Sequence, residues 1–146
     1  MKLLIALRDP RDVVLSCFMQ ALPLNTNSVW YLSLDRAAAR YEADLGAWLR
    51  LRELLPSPWL EVRYEDTVRQ LEREARRALE FLGLPWDDAV LGYRDRMTTK
   101  AVASPTYEAV AQPLYTRAIG RWKNYEKHFG PALARLAPLA KAFGYE

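Results

Sequence analysis

Apolar positions along the chain fall into short continuous runs and longer stretches of three-four spacing. Residues 3–7, Leu-Leu-Ile-Ala-Leu, are a continuous apolar run, the pattern of a strand buried in a parallel sheet. Asp9 suits a helix N-cap, Pro10 the first helical position and Asp12 the first turn, so a helix is predicted over 10–21. Residues 22–27 read as a loop. Over 30–55, Leu34, Ala38, Tyr41, Leu45, Trp48 and Leu55 recur at helical spacing and predict one long amphipathic helix, ended by Pro56-Ser57-Pro58. A second strand is predicted over 59–64. A helix capped by Asp66 follows to Leu82, with Val68, Leu71, Ala75, Leu79 and Leu82 on one face. Gly83 with Pro85 after it forms a helix stop, and another short helix starts at Pro85. Over 93–114 the periodicity is weak and turn residues are frequent, which predicts a long functional loop. Helices return over 118–126 and 131–142.

Two strands, each followed by a helix, predict an α/β fold with a short parallel sheet of about two strands and a dominant set of helices. No repeat or linker interrupts the pattern, so 1–146 reads as a single unit. The first strand begins at the first residues, where an open apolar edge is a liability. The sheet is therefore expected to have further N-terminal neighbours outside this sequence.

Composition narrows the field. The 146 residues carry 21 Lys+Arg against 18 Asp+Glu, a net charge of +3. Acids and bases alternate, as in Arg73-Glu74-Ala75-Arg76-Arg77, which reads as a solvated helix face rather than a nucleic-acid-binding stripe. Sixteen of the cations are Arg, whose planar fork suits phosphate and carboxylate. A single cysteine, Cys17, excludes an internal disulfide, and with one histidine, His128, it makes a structural zinc site an unsuitable reading. No apolar run has the length of a membrane span or signal peptide. A soluble cytoplasmic protein is expected, with no nucleic-acid or membrane partner.

The strongest chemical constellation is Arg8-Asp9-Pro10-Arg11-Asp12, followed by Ser16. A strand end meeting a helix start presents free N–H groups and a positive dipole end to an anion, and Arg8 can aim its fork there. The same residues also admit a plain structural reading, in which Arg8 pairs with Asp12 or Asp9 and Ser16 is a small packing residue.

This block resembles the 3′-phosphate-binding motif of sulfotransferases that use 3′-phosphoadenosine 5′-phosphosulfate (PAPS). Val62-Arg63-Tyr64-Glu65-Asp66, with the helix ending Leu79-Glu80-Phe81-Leu82-Gly83-Leu84, resembles the family's next block. Ser104-Pro105-Thr106-Tyr107-Glu108-Ala109-Val110, Gln112-Pro113-Leu114-Tyr115 and Gly120-Arg121-Trp122-Lys123-Asn124-Tyr125 resemble its C-terminal block. The nearest subgroup is the bacterial enzymes with tetratricopeptide repeats, with tyrosylprotein sulfotransferases more distant. The resemblance implies a P-loop-like sulfotransferase fold and PAPS as co-substrate, with no metal. It places Arg8 and Ser16 at the nucleotide 3′-phosphate and Tyr64 near the adenine. Thr106 through Tyr115 match a loop over the nucleotide, and Arg121 a cation reaching the cofactor phosphates. Gln20 stands where some relatives place a second arginine, and Ala109 where relatives often have Gln.

Family members begin with a glycine-rich loop that cradles the 5′-phosphosulfate as an anion nest. They also carry a His or Glu base before the Arg-Asp-Pro block. Here the six glycines are well separated and the first seven residues contain neither His nor Glu. His128 matches no family base and reads as a surface histidine. The sequence is thus expected to be the C-terminal part of a sulfotransferase domain. It would supply the 3′-phosphate and adenine part of the site for transfer to a hydroxyl or amine acceptor, with no catalytic residue and no useful turnover alone. The alternative is a non-catalytic module that binds nucleotide or a protein partner, a second copy included. Five Trp and eight Tyr suit an interface. A P-loop kinase is disfavoured, because no Gly-x-x-x-x-Gly-Lys-Ser/Thr motif occurs.

Overall fold

The computed structural model describes residues 1–20, 22–92 and 113–145. Contacts divide the chain into two compact units, one from residues 1–7 and 57–116, the other from 8–56 and 117–146. Each is discontinuous in sequence.

The first unit holds a parallel two-stranded sheet. β1 (Leu3–Leu7) pairs with β2 (Trp59–Arg63) in the register Leu3 to Trp59 through Leu7 to Arg63. This is the α/β arrangement that the two apolar runs predict. Two helices follow β2, α3 (Tyr64–Arg69) and α4 (Leu71–Leu82), and both pack on it. The predicted continuous helix from Asp66 is broken at Gln70, where ψ is 59°, and its cap is Arg63 rather than Asp66. Gly83 ends α4 at φ 79°, and Leu84 N–H donates to Leu79 O at 2.9 Å. That left-handed turn is one glycine adopts without strain. The short helix predicted at Pro85 is a single 3₁₀ turn, Asp88–Val90.

The solvated face predicted for Arg73–Arg77 is corrected at one residue. The Glu74 side chain is 4% exposed and accepts from Arg73 Nε at 3.0 Å and from Arg77 Nη2 at 2.7 Å. Arg77 Nη2 also donates to Glu61 O of β2 at 2.9 Å. Charge alternation along a helix does not say which carboxylate the sheet covers.

The second unit is helical. α1 (Pro10–Phe18) carries the predicted Asp9 cap, whose side chain accepts from Arg11 N–H at 2.9 Å. A 3₁₀ turn, Ser28–Leu32, leads to α2 (Leu34–Leu51). The single helix predicted over 30–55 is thus divided at Ser33, whose extended backbone and side-chain bond to Arg36 N–H start a new helix. The helix predicted over 118–126 is a 3₁₀-helix, Arg121–His128, and α5 (Pro131–Ala142) follows as expected. α5 packs on α2 and α1. Val14, Ala38, Phe129, Ala132 and Leu136 form the innermost core. At the rim, Arg135 of α5 reaches Glu42 of α2 at 2.7 Å.

Among the described residues no helix is long and apolar enough to cross a membrane. Among the same residues, no group of three His, Cys, Asp or Glu is arranged to hold a metal ion.

Candidate functional site

The site is built where the turn before α1 meets the segment before the 3₁₀-helix 121–128. Both belong to the second unit. Arg8 is half-buried, and its Nη2 donates to Ala118 O at 2.7 Å. Asp12, one helical turn on, is 1% exposed. Its Oδ2 accepts Gly120 N–H at 2.6 Å and its Oδ1 accepts Trp122 N–H at 2.8 Å. The residue between those two donors is Arg121. Gly120 has φ 67°, a left-handed conformation that costs a side-chain-bearing residue roughly 1–2 kcal/mol.

A third link closes the arrangement. The Asp9 carboxylate holds the Arg11 guanidinium through Nε at 2.8 Å and Nη2 at 2.7 Å. Arg11 in turn stacks on the Trp122 ring, 4.2 Å from its centroid. Trp122 is buried and meets Phe129 edge-on, with centroids 6.3 Å apart. Trp122 thus packs as a core residue.

The electrostatics follow from burial. Desolvation pushes the Asp12 carboxyl above the ordinary aspartate range, while the Trp122 and Gly120 N–H groups and the Arg8 charge pull against it without cancelling it. Burial also pushes the Cys17 thiol up, against the Arg8 charge. Asp12 turns both carboxylate oxygens toward N–H donors. Asp9 accepts from Arg11. The sequence alternative that pairs Arg8 with Asp12 or Asp9 did not foresee the backbone partners of Asp12.

Arg121 is exposed. Its guanidinium lies 6.0 Å from the Tyr125 ring centroid, and among the described residues no carboxylate stands within ion-pair distance of it. Ser16 is exposed on α1. Tyr64, the first residue of α3, and Tyr115 are half-buried and belong to the first unit. Thr106 lies outside the described residues. His128 is exposed, as expected. Beside the Arg121 segment, Tyr125, His128 and Phe129 line a largely apolar cavity of about 620 Å³, together with Leu15 and Phe18 of α1.

Comparison with known proteins supplies the family. Residues 1–88 match a family model described as "Sulfotransferase family". The chain belongs to the sulfotransferase family. Arg8, Ser16 and Tyr64 fall inside the matched span, whereas Thr106, Tyr115 and Arg121 lie beyond it. Among relatives, an uncharacterized protein of Aquifex aeolicus (strain VF5) is 31% identical over 81 residues, 56% of this chain and 10% of that protein. Protein-tyrosine sulfotransferase A of Caenorhabditis elegans is 29% identical over 92 residues, 60% of this chain and 24% of that protein. The chain thus spans a small part of the length of either relative. As a sulfotransferase-family chain, it shows the α/β organisation that the resemblance implies.

Asp12 and Gly120 are the site residues that sequence reading missed. Asp12 carries a signal for the first helical turn and as an alternative partner of Arg8, and nothing in the spacing links it to positions 108 and 110 residues away.

Proposed function

We propose that this chain supplies the part of a PAPS-dependent sulfotransferase site that holds the nucleotide 3′-phosphate, in an enzyme that transfers a sulfuryl group to a hydroxyl or amine acceptor. The observation that carries the reading is the joining of two arginine-bearing segments in one unit. The Arg8 turn is bonded to Ala118, and the following helical turn to the backbone on both sides of Arg121.

The residues suit a phosphomonoester. Such a group carries close to two negative charges near neutral pH, and charge-assisted bonds from guanidinium are roughly twice as strong as neutral ones. Arg121 is exposed and faces no carboxylate among the described residues. The nearby acid, Asp12, accepts a backbone N–H group at each of its oxygens. Ser16 adds a hydroxyl on the side of α1. Tyr64, Thr106 and Tyr115 keep the adenine and loop roles that the resemblance implies. PAPS, when bound, supplies the sulfuryl group. In this chain we assign binding residues and no catalytic residue.

The test is calorimetric titration of the chain with adenosine 3′,5′-bisphosphate, with 5′-AMP as control and Arg8→Ala and Arg121→Ala as variants. The expected result is binding that requires the 3′-phosphate and falls in both variants. Arg121→Ala is the cleaner variant, since an exposed side chain contributes little to folding. A folded chain that binds the bisphosphate no better than 5′-AMP refutes the reading and leaves the non-catalytic interaction module.

A further inference from the structure

We propose that Asp12 is a positioning residue of the anion site: by accepting the N–H groups on either side of Arg121, it sets where that guanidinium is presented relative to Arg8. The proposal rests on the nucleotide-holding reading above and extends it to a residue that touches no ligand.

Taking an ionised or polar side chain out of water is unfavourable unless its lone pairs are satisfied. Asp12 meets that condition through donors from one short segment, at 2.6 Å and 2.8 Å. These bonds fix the backbone at 120 and at 122, leaving Arg121 between two anchored neighbours. Gly120 takes φ 67° and ψ 17° at that point, so the chain turns sharply just before the arginine. Arg8 grips the same segment two residues earlier, at Ala118 O. Arg11, stacked on Trp122, grips it on the far side.

Arg121 itself needs such help. A free arginine side chain carries about 2 kcal/mol of rotamer entropy, part of which is lost when it binds. A wandering backbone adds the cost of ordering further residues, roughly 1–2 kcal/mol each. Holding the segment beforehand removes that second cost from the binding step. An acid near a phosphate site would ordinarily repel the ligand. Here its oxygens are turned to N–H donors and it faces the Arg8 charge, so the repulsion is offset where it arises.

The experiment combines binding and amide exchange on the whole chain. Asp12→Asn retains one acceptor oxygen and loses the other. In a variant whose circular dichroism matches the unsubstituted chain, adenosine 3′,5′-bisphosphate is expected to bind about tenfold more weakly, as for loss of one charged hydrogen bond. In an Arg121→Ala background the same substitution is expected to change affinity by less than about threefold, because coupled residues are non-additive. Amide exchange at Gly120 and Trp122 is expected to be slow in the unsubstituted chain and much faster in Asp12→Asn. Affinity retained in folded Asp12→Asn overturns the proposal. So does an equal loss with and without Arg121, since Asp12 then acts by another route. If Asp12→Asn does not fold, Gly120→Ala disturbs the same anchor from the other side, and its loss of affinity must likewise depend on Arg121. If the unsubstituted chain binds no bisphosphate, the nucleotide reading fails, and exchange still judges the anchor: amides at 120 and 122 that are unprotected, or equally protected in both chains, overturn it.

Discussion

Glu74→Gln is the perturbation that the structure makes most quantitative. The Glu74 side chain is 4% exposed, yet it sits between two guanidinium groups that are 57% and 41% exposed. Three N–H donors converge on it, from Arg73 Nε at 3.0 Å, Arg77 Nε at 3.0 Å and Arg77 Nη2 at 2.7 Å. A hydrogen bond to a charged group contributes about 1.5–3 kcal/mol when both partners are shielded. Both arginines here regain water when released, so the full sum does not apply, and solvent screening lowers each bond. The glutamine amide also keeps one acceptor while turning an NH₂ toward a cation. The net cost is about 2 kcal/mol. At this chain length that corresponds to roughly 4–8 °C in the unfolding midpoint.

The pH dependence gives the sharper check. Burial pushes the Glu74 carboxyl up, but the Arg77 and Arg73 hydrogen bonds and charges together outweigh it and hold the group below the ordinary glutamate range. Its folded pKa is thus depressed. The contribution is fully present above the ordinary range and is lost as pH falls through the folded pKa. Urea unfolding followed by far-ultraviolet circular dichroism is expected to show a constant gap between the unsubstituted chain and Glu74→Gln from neutral pH downward. The gap closes once the medium is more acidic than an ordinary glutamate. Glu80→Gln, on the exposed part of the same helix, serves as control and should stay within about 0.5 kcal/mol. A Glu74→Gln chain as stable as the control, or a gap that persists unchanged in acid, refutes the reasoning.

Two further outcomes follow from the second unit. Leu136→Ala empties a fully buried position in α5 and should cost about 2–5 kcal/mol in urea unfolding, whereas Leu54→Ala, at 78% exposure, should stay within about 0.5 kcal/mol. Gly120→Ala meets nothing closer than the Lys123 side chain at 3.9 Å, so its cost is backbone strain alone, about 1 kcal/mol; an alanine variant as stable as the glycine chain in thermal unfolding refutes the left-handed turn.

Much of the fold was legible because its signals are local. The apolar run 3–7, the Asp9-Pro10 helix start, the Gly83 stop and the Pro131 start each rest on neighbours a few residues apart, and each element lies where these signals put it. The divisions at Ser33 and Gln70 were less legible. Apolar spacing ran through both points, and only a side-chain bond to Arg36 and a change of ψ mark them. Of the candidate site, the block from Arg8 to Ser16 was readable as a motif. The burial of Glu74 was not, because an alternating charge pattern looks the same whether or not a sheet covers one of its acids.

The sequence by itself determined the α/β organisation, the order of motifs that resembles the family and the identity of the arginines in the segments at 8–12 and 121. Tertiary structure alone decided what those cations are attached to. Arg8, Asp12 and Arg11 close on residues 118–122 across more than a hundred positions of chain. Such pairings depend on which backbone groups packing leaves without a helical or sheet partner. Periodicity and capping rules report only the few residues around each position, so no local pattern could have told Asp12 that its hydrogen bonds lay on either side of Arg121.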